Sequence, residues 1–143
     1  MSTRYVVDAS VAAKWFLIEE FLDAAHRLHD IRPALHVPEF FYLEFGHIVC
    51  KKHRRNEIDL DEGVRMIHDL RRIPMQRHEN EGLIATALRY AFELRAGLYD
   101  CLYLSLATQL ECQFVTADRR FLRSIDDTEF AHYGLWIEDL PAA

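Results

Sequence analysis

Four acidic side chains stand where surface acids do not belong: Asp8, Glu44, Asp100 and Asp118. Asp8 directly follows Tyr5-Val6-Val7, a short apolar run that reads as a strand and leads into a helix. Asp118 has a similar setting, two residues beyond Phe114-Val115-Thr116. In open parallel sheets the functional crevice lies outside the carboxyl ends of the strands. Glu44 sits in Phe40-Phe41-Tyr42-Leu43-Glu44-Phe45-Gly46-His47-Ile48. On a helix its neighbours at three and four positions are Phe40, Phe41, His47 and Ile48, so its carboxylate leaves a core-facing side. Asp100 repeats the pattern with Tyr103 and Leu104. Burying an unpaired charge costs several kcal/mol or forces neutralisation. Carboxylates gathered in one place repel, and a hard cation with oxygen ligands, Mg²⁺ or Mn²⁺, relieves that repulsion. Such ions polarise phosphodiesters, acidify water and steady a leaving oxygen.

Each acid also has a purely structural explanation. Asp8 and Asp118 suit helix N-caps. Asp100 suits a first-turn acid on a helix dipole. Glu44 suits a buried ion pair. The four together share one explanation, a metal-assisted hydrolytic site.

The elements that would position them follow from the pattern of apolar residues. Arg4 to Val7 reads as a strand, Ser10 to Leu17 as a helix, and Glu19 to Asp30 as a second helix that ends at Arg32-Pro33. A helix is expected from Pro38 to about Arg55, since proline favours a first turn. Asp59 is a plausible N-cap for a helix to Arg72. Ile73 to Gln76 reads as a short strand with Pro74 at an edge or end. Helices are expected over Glu79 to Leu94 and Leu98 to Leu110, with Gly97 between them. Gln113 to Thr116 reads as a strand, followed by a short helix from Asp118 and a last edge strand at Leu135 to Ile137. Short apolar strands alternating with helices predict an α/β fold with a parallel sheet between helical layers.

Composition bounds the function classes. The 143 residues suit one domain, 1–143, and 50% hydrophobic against 28% charged residues excludes a disordered chain. No apolar run nears the ~20 residues needed to span a bilayer. The N-terminus does not read as a signal peptide, so a cytoplasmic address is expected. Cys50, Cys101 and Cys112 form no CxxC pair, and an odd number argues against a disulfide framework, so buried thiols are expected. The net charge of −6 disfavours nucleic acid on its face. Basic residues are nevertheless clustered: Lys51 to Arg55, Arg71-Arg72, and Arg119, Arg120 and Arg123.

Four strings, VVDASVAAKWF, PEFFYLEFGHIV, YDCLYLSLA and VTADRRF, resemble the PIN domain family. Within it they look most like the stand-alone VapC-type toxins of toxin–antitoxin pairs, from Tyr5 to about Ile137. The resemblance implies a PIN-like three-layer sandwich, with a twisted, mainly parallel sheet of four to five short strands flanked by helices. It implies an endoribonuclease that hydrolyses RNA with Mg²⁺ or Mn²⁺. Asp8, Glu44, Asp100 and Asp118 match the family's acids. Ser10 and Thr116 match hydroxyls that help hold a metal or its water. A cognate VapB-like antitoxin and a homodimer are the usual partners. Arg54, Arg55 and Arg119 are candidates for flanking RNA phosphates, and Lys14 is either another or a plain surface lysine. Cys101 and Ser105 stand where the family commonly has small alanine-like residues.

Other readings remain to be separated. They are a PIN-fold RNA-processing or DNA-acting nuclease, and an inactive RNA-binding or partner-binding module. Glu44-x-x-His47 and Glu129-x-x-His132 each match the unit of di-iron helical bundles, but the expected strands oppose a bundle. A phosphoryl-aspartate enzyme would suit Asp8, yet Asp8-Ala9-Ser10 lacks the second aspartate such phosphatases use.

Overall fold

Tyr5, Val6 and Val7 are bulky, two of them β-branched, and all three are buried, which suits a strand covered on both faces. In the computed structural model, which describes residues 4–16 and 34–141, this run is β1, Arg4–Val7, the middle of a five-stranded sheet. The other strands are β2 (Ala34–Pro38), β3 (Gln76–His78), β4 (Gln113–Thr116) and β5 (Gly134–Trp136). Their order is β3-β2-β1-β4-β5, and every pairing is parallel. Val6 faces His36 on one side and Phe114 on the other. The chain builds outward from β1 to β3, then crosses back and builds outward from β4. The order therefore reverses between β1 and β4, and their carboxyl ends flank a topological switch point.

Six α-helices flank the sheet among the described residues: α1 (Ala9–Ala13), α2 (Phe40–Arg54), α3 (Leu60–Arg72), α4 (Ile84–Leu94), α5 (Leu98–Leu110) and α6 (Arg119–Ile125). The expected strand Arg4–Val7, strand Gln113–Thr116 and helix Leu98–Leu110 are found with those bounds. Cys101 to Ala107 of α5 are all buried. A helix apolar on every side belongs in the core, and α5 packs against β1, β2 and β4. This seats Asp100, in its first turn, beneath the switch point.

Several expectations need correction. No strand was expected at Ala34–Pro38, and Pro38 was read as opening a helix; instead it closes β2, paired with His78. Leu35, His36, Val37 and Pro38 are all buried, so the segment is a strand covered on both faces and shows no alternation. Helix α2 starts only at Phe40. Its first N–H groups are served from outside, since Phe40 N–H donates to Asn80 Oδ1 at 3.0 Å. Asn80 N–H in turn donates to Glu39 Oε1 at 2.9 Å. The third strand lies at Gln76–His78 rather than Ile73–Gln76, because α3 runs to Arg72 and Pro74 falls in the connection. Residues 79–94 split into a 3₁₀ turn, Asn80–Gly82, and α4. The last strand is Gly134–Trp136, one residue early. At Gly134 the sheet approaches α6 so closely that a Cβ would sit 2.5 Å from Leu122 Cδ2, and the Leu122 side chain would have to shift to admit it. The first helix covers Ala9–Ala13, with turns to Phe16, and the expected helix Glu19–Asp30 and its end at Arg32-Pro33 lie outside the described residues.

Asp59 does cap α3, and does so reciprocally. Its side chain accepts from Glu62 N–H at 2.8 Å while Glu62 Oε1 accepts from Asp59 N–H at 3.1 Å. The thiols are not uniformly buried: Cys101 is, Cys112 is half-buried, and Cys50 is exposed on α2. Lys14 is no surface lysine, being 7% exposed.

Candidate active site

Asp8 and Asp118 arrive from adjacent strands, and both the capping role and a chemical one fall on the same atoms. Asp8 Oδ1 accepts Ser10 N–H at 3.0 Å, capping α1. Its Oδ2 accepts the Thr116 hydroxyl at 2.6 Å. Thr116 Oγ1 accepts Asp118 N–H at 3.0 Å, and Ser10 Oγ accepts Ala117 N–H at 3.3 Å. Asp118 Oδ1 accepts Arg120 N–H at 2.9 Å and Phe121 N–H at 3.3 Å, capping α6. Ser10 and Thr116 thus stitch the two strand-to-helix turns together and hold Asp8 and Asp118 at the mouth of the switch point.

Glu44 enters from α2 and Asp100 from α5. The Tyr103 hydroxyl donates to Glu44 Oε1 at 2.9 Å. Burial pushes the Glu44 carboxyl up to about 8, and the nearby charges of Asp8 and Asp100 add to it. Glu44 and Asp8 are coupled, and both carboxyls are raised. Burial, then Asp8 and Asp118, raise Asp100 to about 6, opposed by Arg120. Asp8 is raised as well, chiefly by burial, with Asp118 contributing. Among the described residues Glu44 therefore meets a phenol and another carboxylate where a buried ion pair was the structural expectation.

The raised carboxyls of Asp8, Glu44 and Asp100 mark where a cation would be bound. All the donors are carboxylate oxygens flanked by hydroxyls, a set suited to a hard divalent ion and unsuited to a soft one. Among the described residues no three Asp, Glu, His or Cys side chains close on one point at ligating distance.

The basic candidates divide. Arg119 is exposed beside Asp118, its guanidinium 4.0 Å from the centroid of the Trp136 ring. Arg54 and Arg55 are exposed at the far end of α2, ten residues or more past Glu44, which is ~15 Å along a helix axis. The structure does not bring them to the acids. Sequence reasoning did not single out Tyr103 or Arg120 as site residues. The signal for Tyr103 was its spacing of three from Asp100, which places both on one helical face. Glu129 and His132 share no helix, and His47 is exposed, which disposes of the di-iron reading.

A family model, the PIN domain, matches residues 5–126, and the chain belongs to that family. Its curated relatives include a VapC ribonuclease of Mycobacterium bovis, 33% identical over 120 residues, which are 80% of this chain and 86% of the relative. Ribonuclease VapC3 of Pyrobaculum aerophilum is 26% identical over 119 residues, 82% of this chain and 91% of the relative. Among solved structures, a Pyrobaculum aerophilum protein shares the fold with a TM-score of 0.72 at 23% identity, over 95% of this chain and 85% of that one. Mycobacterium tuberculosis VapC20, described as a Sarcin-Ricin loop cleaving toxin, gives 0.63 at 14% identity, over 90% and 93%. A toxin–antitoxin complex from Klebsiella pneumoniae gives 0.61 at 12% identity, over 95% and 99%.

Proposed function

We propose that this chain is a metal-dependent endoribonuclease, the toxin half of a VapBC-like pair, acting in the cytoplasm as one domain over residues 1–143. The observation that carries the reading is electrostatic. Asp8, Glu44 and Asp100, far apart in sequence, are all raised at the carboxyl ends of β1 and β4, and Asp118 adds to the rise of Asp8 and Asp100, in a chain whose curated relatives are VapC ribonucleases. Asp8, Glu44, Asp100 and Asp118 would hold Mg²⁺ or Mn²⁺, which supplies an acidified water and charge stabilisation for phosphoryl transfer. Ser10 and Thr116 fix Asp8 through the stitched turns. Arg119 and Arg120 stand where a phosphate next to the acids would lie, whereas Arg54 and Arg55 could meet only a more distant stretch of RNA.

The test is cleavage of a fluorescent RNA alongside a DNA of the same sequence. Cleavage of the RNA alone is expected, abolished by EDTA, restored by Mg²⁺ or Mn²⁺ and poorly by Ca²⁺, whose bonds are longer and geometry looser. Cleavage that persists in excess EDTA would overturn the metal site. A cut DNA would favour the DNA-acting alternative. A VapB-like antitoxin is expected to silence the nuclease by bringing Arg or Lys to the carboxylates. A fully active complex would instead favour a housekeeping RNA-processing role.

The homodimer belongs to the same proposal. Ile84, Leu88 and Phe92 form an exposed apolar stripe along α4, the kind of surface that self-association covers. Sedimentation should show a dimer, and Phe92→Glu a shift toward monomer. A monomeric wild type at high concentration would remove the dimer from the proposal.

A further inference from the structure

Tyr103 is a buried polar group that bonds one of the four acids directly. It is 2% exposed and lies one turn beyond Asp100 on α5. Its hydroxyl donates to Glu44 Oε1 at 2.9 Å. That bond ties the helix carrying Glu44 to the helix carrying Asp100.

A glutamate has several rotatable bonds, and freezing them on binding an ion costs conformational entropy. A hydrogen bond that fixes one carboxylate oxygen beforehand removes part of that cost and orients the other oxygen. Groups that hold metal ligands in this way change metal affinity or activity by about 10- to 100-fold when lost. We propose that Tyr103 is the positioning residue for Glu44, holding its carboxylate in the orientation that receives the divalent ion. The proposal rests on the metal-nuclease reading of the acids and adds a specific residue to it.

The test is Mn²⁺ titration calorimetry on the full chain, for wild type, Tyr103→Phe, Tyr90→Phe and Glu44→Gln, with cleavage kinetics beside it. Tyr90→Phe is the matched control, since it deletes another phenol hydrogen bond, the 3.0 Å contact with Thr108 between α4 and α5. Both phenylalanine variants are expected to melt below wild type. Tyr103→Phe alone should bind Mn²⁺ about 10- to 100-fold more weakly and lose kcat, with KM for RNA unchanged. Wild-type affinity in Tyr103→Phe, or equal weakening in Tyr90→Phe, overturns the proposal and leaves the nuclease reading intact. If wild type binds Mn²⁺ no better than Glu44→Gln, the reading itself fails and the proposal with it. Should Tyr103→Phe not fold, Mg²⁺ added to wild type should produce a near-ultraviolet tyrosine difference spectrum that is absent in Glu44→Gln. A saturated wild type with no such spectrum also overturns the proposal.

Discussion

Glu44→Gln is expected to leave the metal-free protein as stable as wild type at pH 7 while cutting RNA cleavage by more than ~100-fold, beyond the loss of a mere supporting group. The reason lies in where the proton sits. With its carboxyl raised to about 8, Glu44 is mostly protonated at pH 7 in the absence of metal. It accepts from Tyr103 on Oε1. A glutamine amide keeps that bond, with its oxygen toward Tyr103, has the same shape and carries no charge. The fold therefore loses nothing. The site loses a group able to become an anion, and with it the capacity to hold a cation. Asp100→Asn differs in a predictable way. Its carboxyl, raised to about 6, is largely ionised at pH 7 and strained by Asp8 and Asp118, so asparagine should raise metal-free stability while also abolishing cleavage. Asp8 is a poorer probe, because it caps α1 and accepts the Thr116 hydroxyl, and an amide cannot serve all those donors. Thermal melts in EDTA with parallel cleavage assays decide the matter. If Glu44→Gln and Asp100→Asn both melt well below wild type and still cleave RNA, the acids are scaffold.

The acids were legible because each breaks a local rule: a carboxylate at the end of an apolar strand, or on the apolar side of a helix, has no cheap reason to be there. Their neighbours fixed most of the elements that carry them. Strand β2 was not legible, because Leu35-His36-Val37-Pro38 is buried on both faces and shows neither period, and Pro38 signals a helix start as readily as a strand end. The basic run Lys51 to Arg55 was legible as a cluster, and its distance from Glu44 was already implicit in the single helix expected from Pro38 to about Arg55. Tyr103 looked like another apolar member of α5. Its role depends on Glu44, 59 residues away, and no local pattern encodes such a junction. Cys50 was misjudged for a related reason: its helix turns a partly apolar face outward, with Leu43 71% exposed.

Between pH 6.5 and 8, metal-free wild type is expected to lose stability as pH rises, and Mg²⁺ is expected to reduce or reverse that trend. A carboxyl raised in the folded state keeps its proton after the unfolded chain has released it. The folded state then binds more protons, and stability falls with pH from the unfolded value to the folded one. For Glu44 that span runs from 4.5 to about 8, and for Asp100 from 3.8 to about 6. Asp8 acts in the same direction. Opposing groups work lower on the scale. His36 and His78, joined at 3.0 Å and both lowered chiefly by burial, favour the unfolded state once protonated. They add stability as pH rises, chiefly up to about 6.5, where the unfolded imidazole is half deprotonated, with a remainder that fades over the next pH unit. Asp59, lowered by its bond from Glu62 N–H, also acts only in acid. Cys101, raised from 9.0 to about 11, begins to matter only above that window. The interval from 6.5 to 8 therefore reports on the raised carboxyls, Glu44 among them. There, a proton and a divalent ion compete for the same carboxylates, so Mg²⁺ binds more tightly as pH rises. An ion present at ~100 times its Kd stabilises the folded state by ~2.7 kcal/mol, enough to offset the loss. Melting temperatures of wild type and Glu44→Gln, taken in EDTA and in Mg²⁺ across this interval, provide the measurement. Wild type should slope downward in EDTA, Glu44→Gln should slope less steeply, and Mg²⁺ should separate the two increasingly toward pH 8. A wild type that is flat in EDTA, or a Mg²⁺ effect equal in both proteins, would show that the carboxyls do not share a proton-or-metal site.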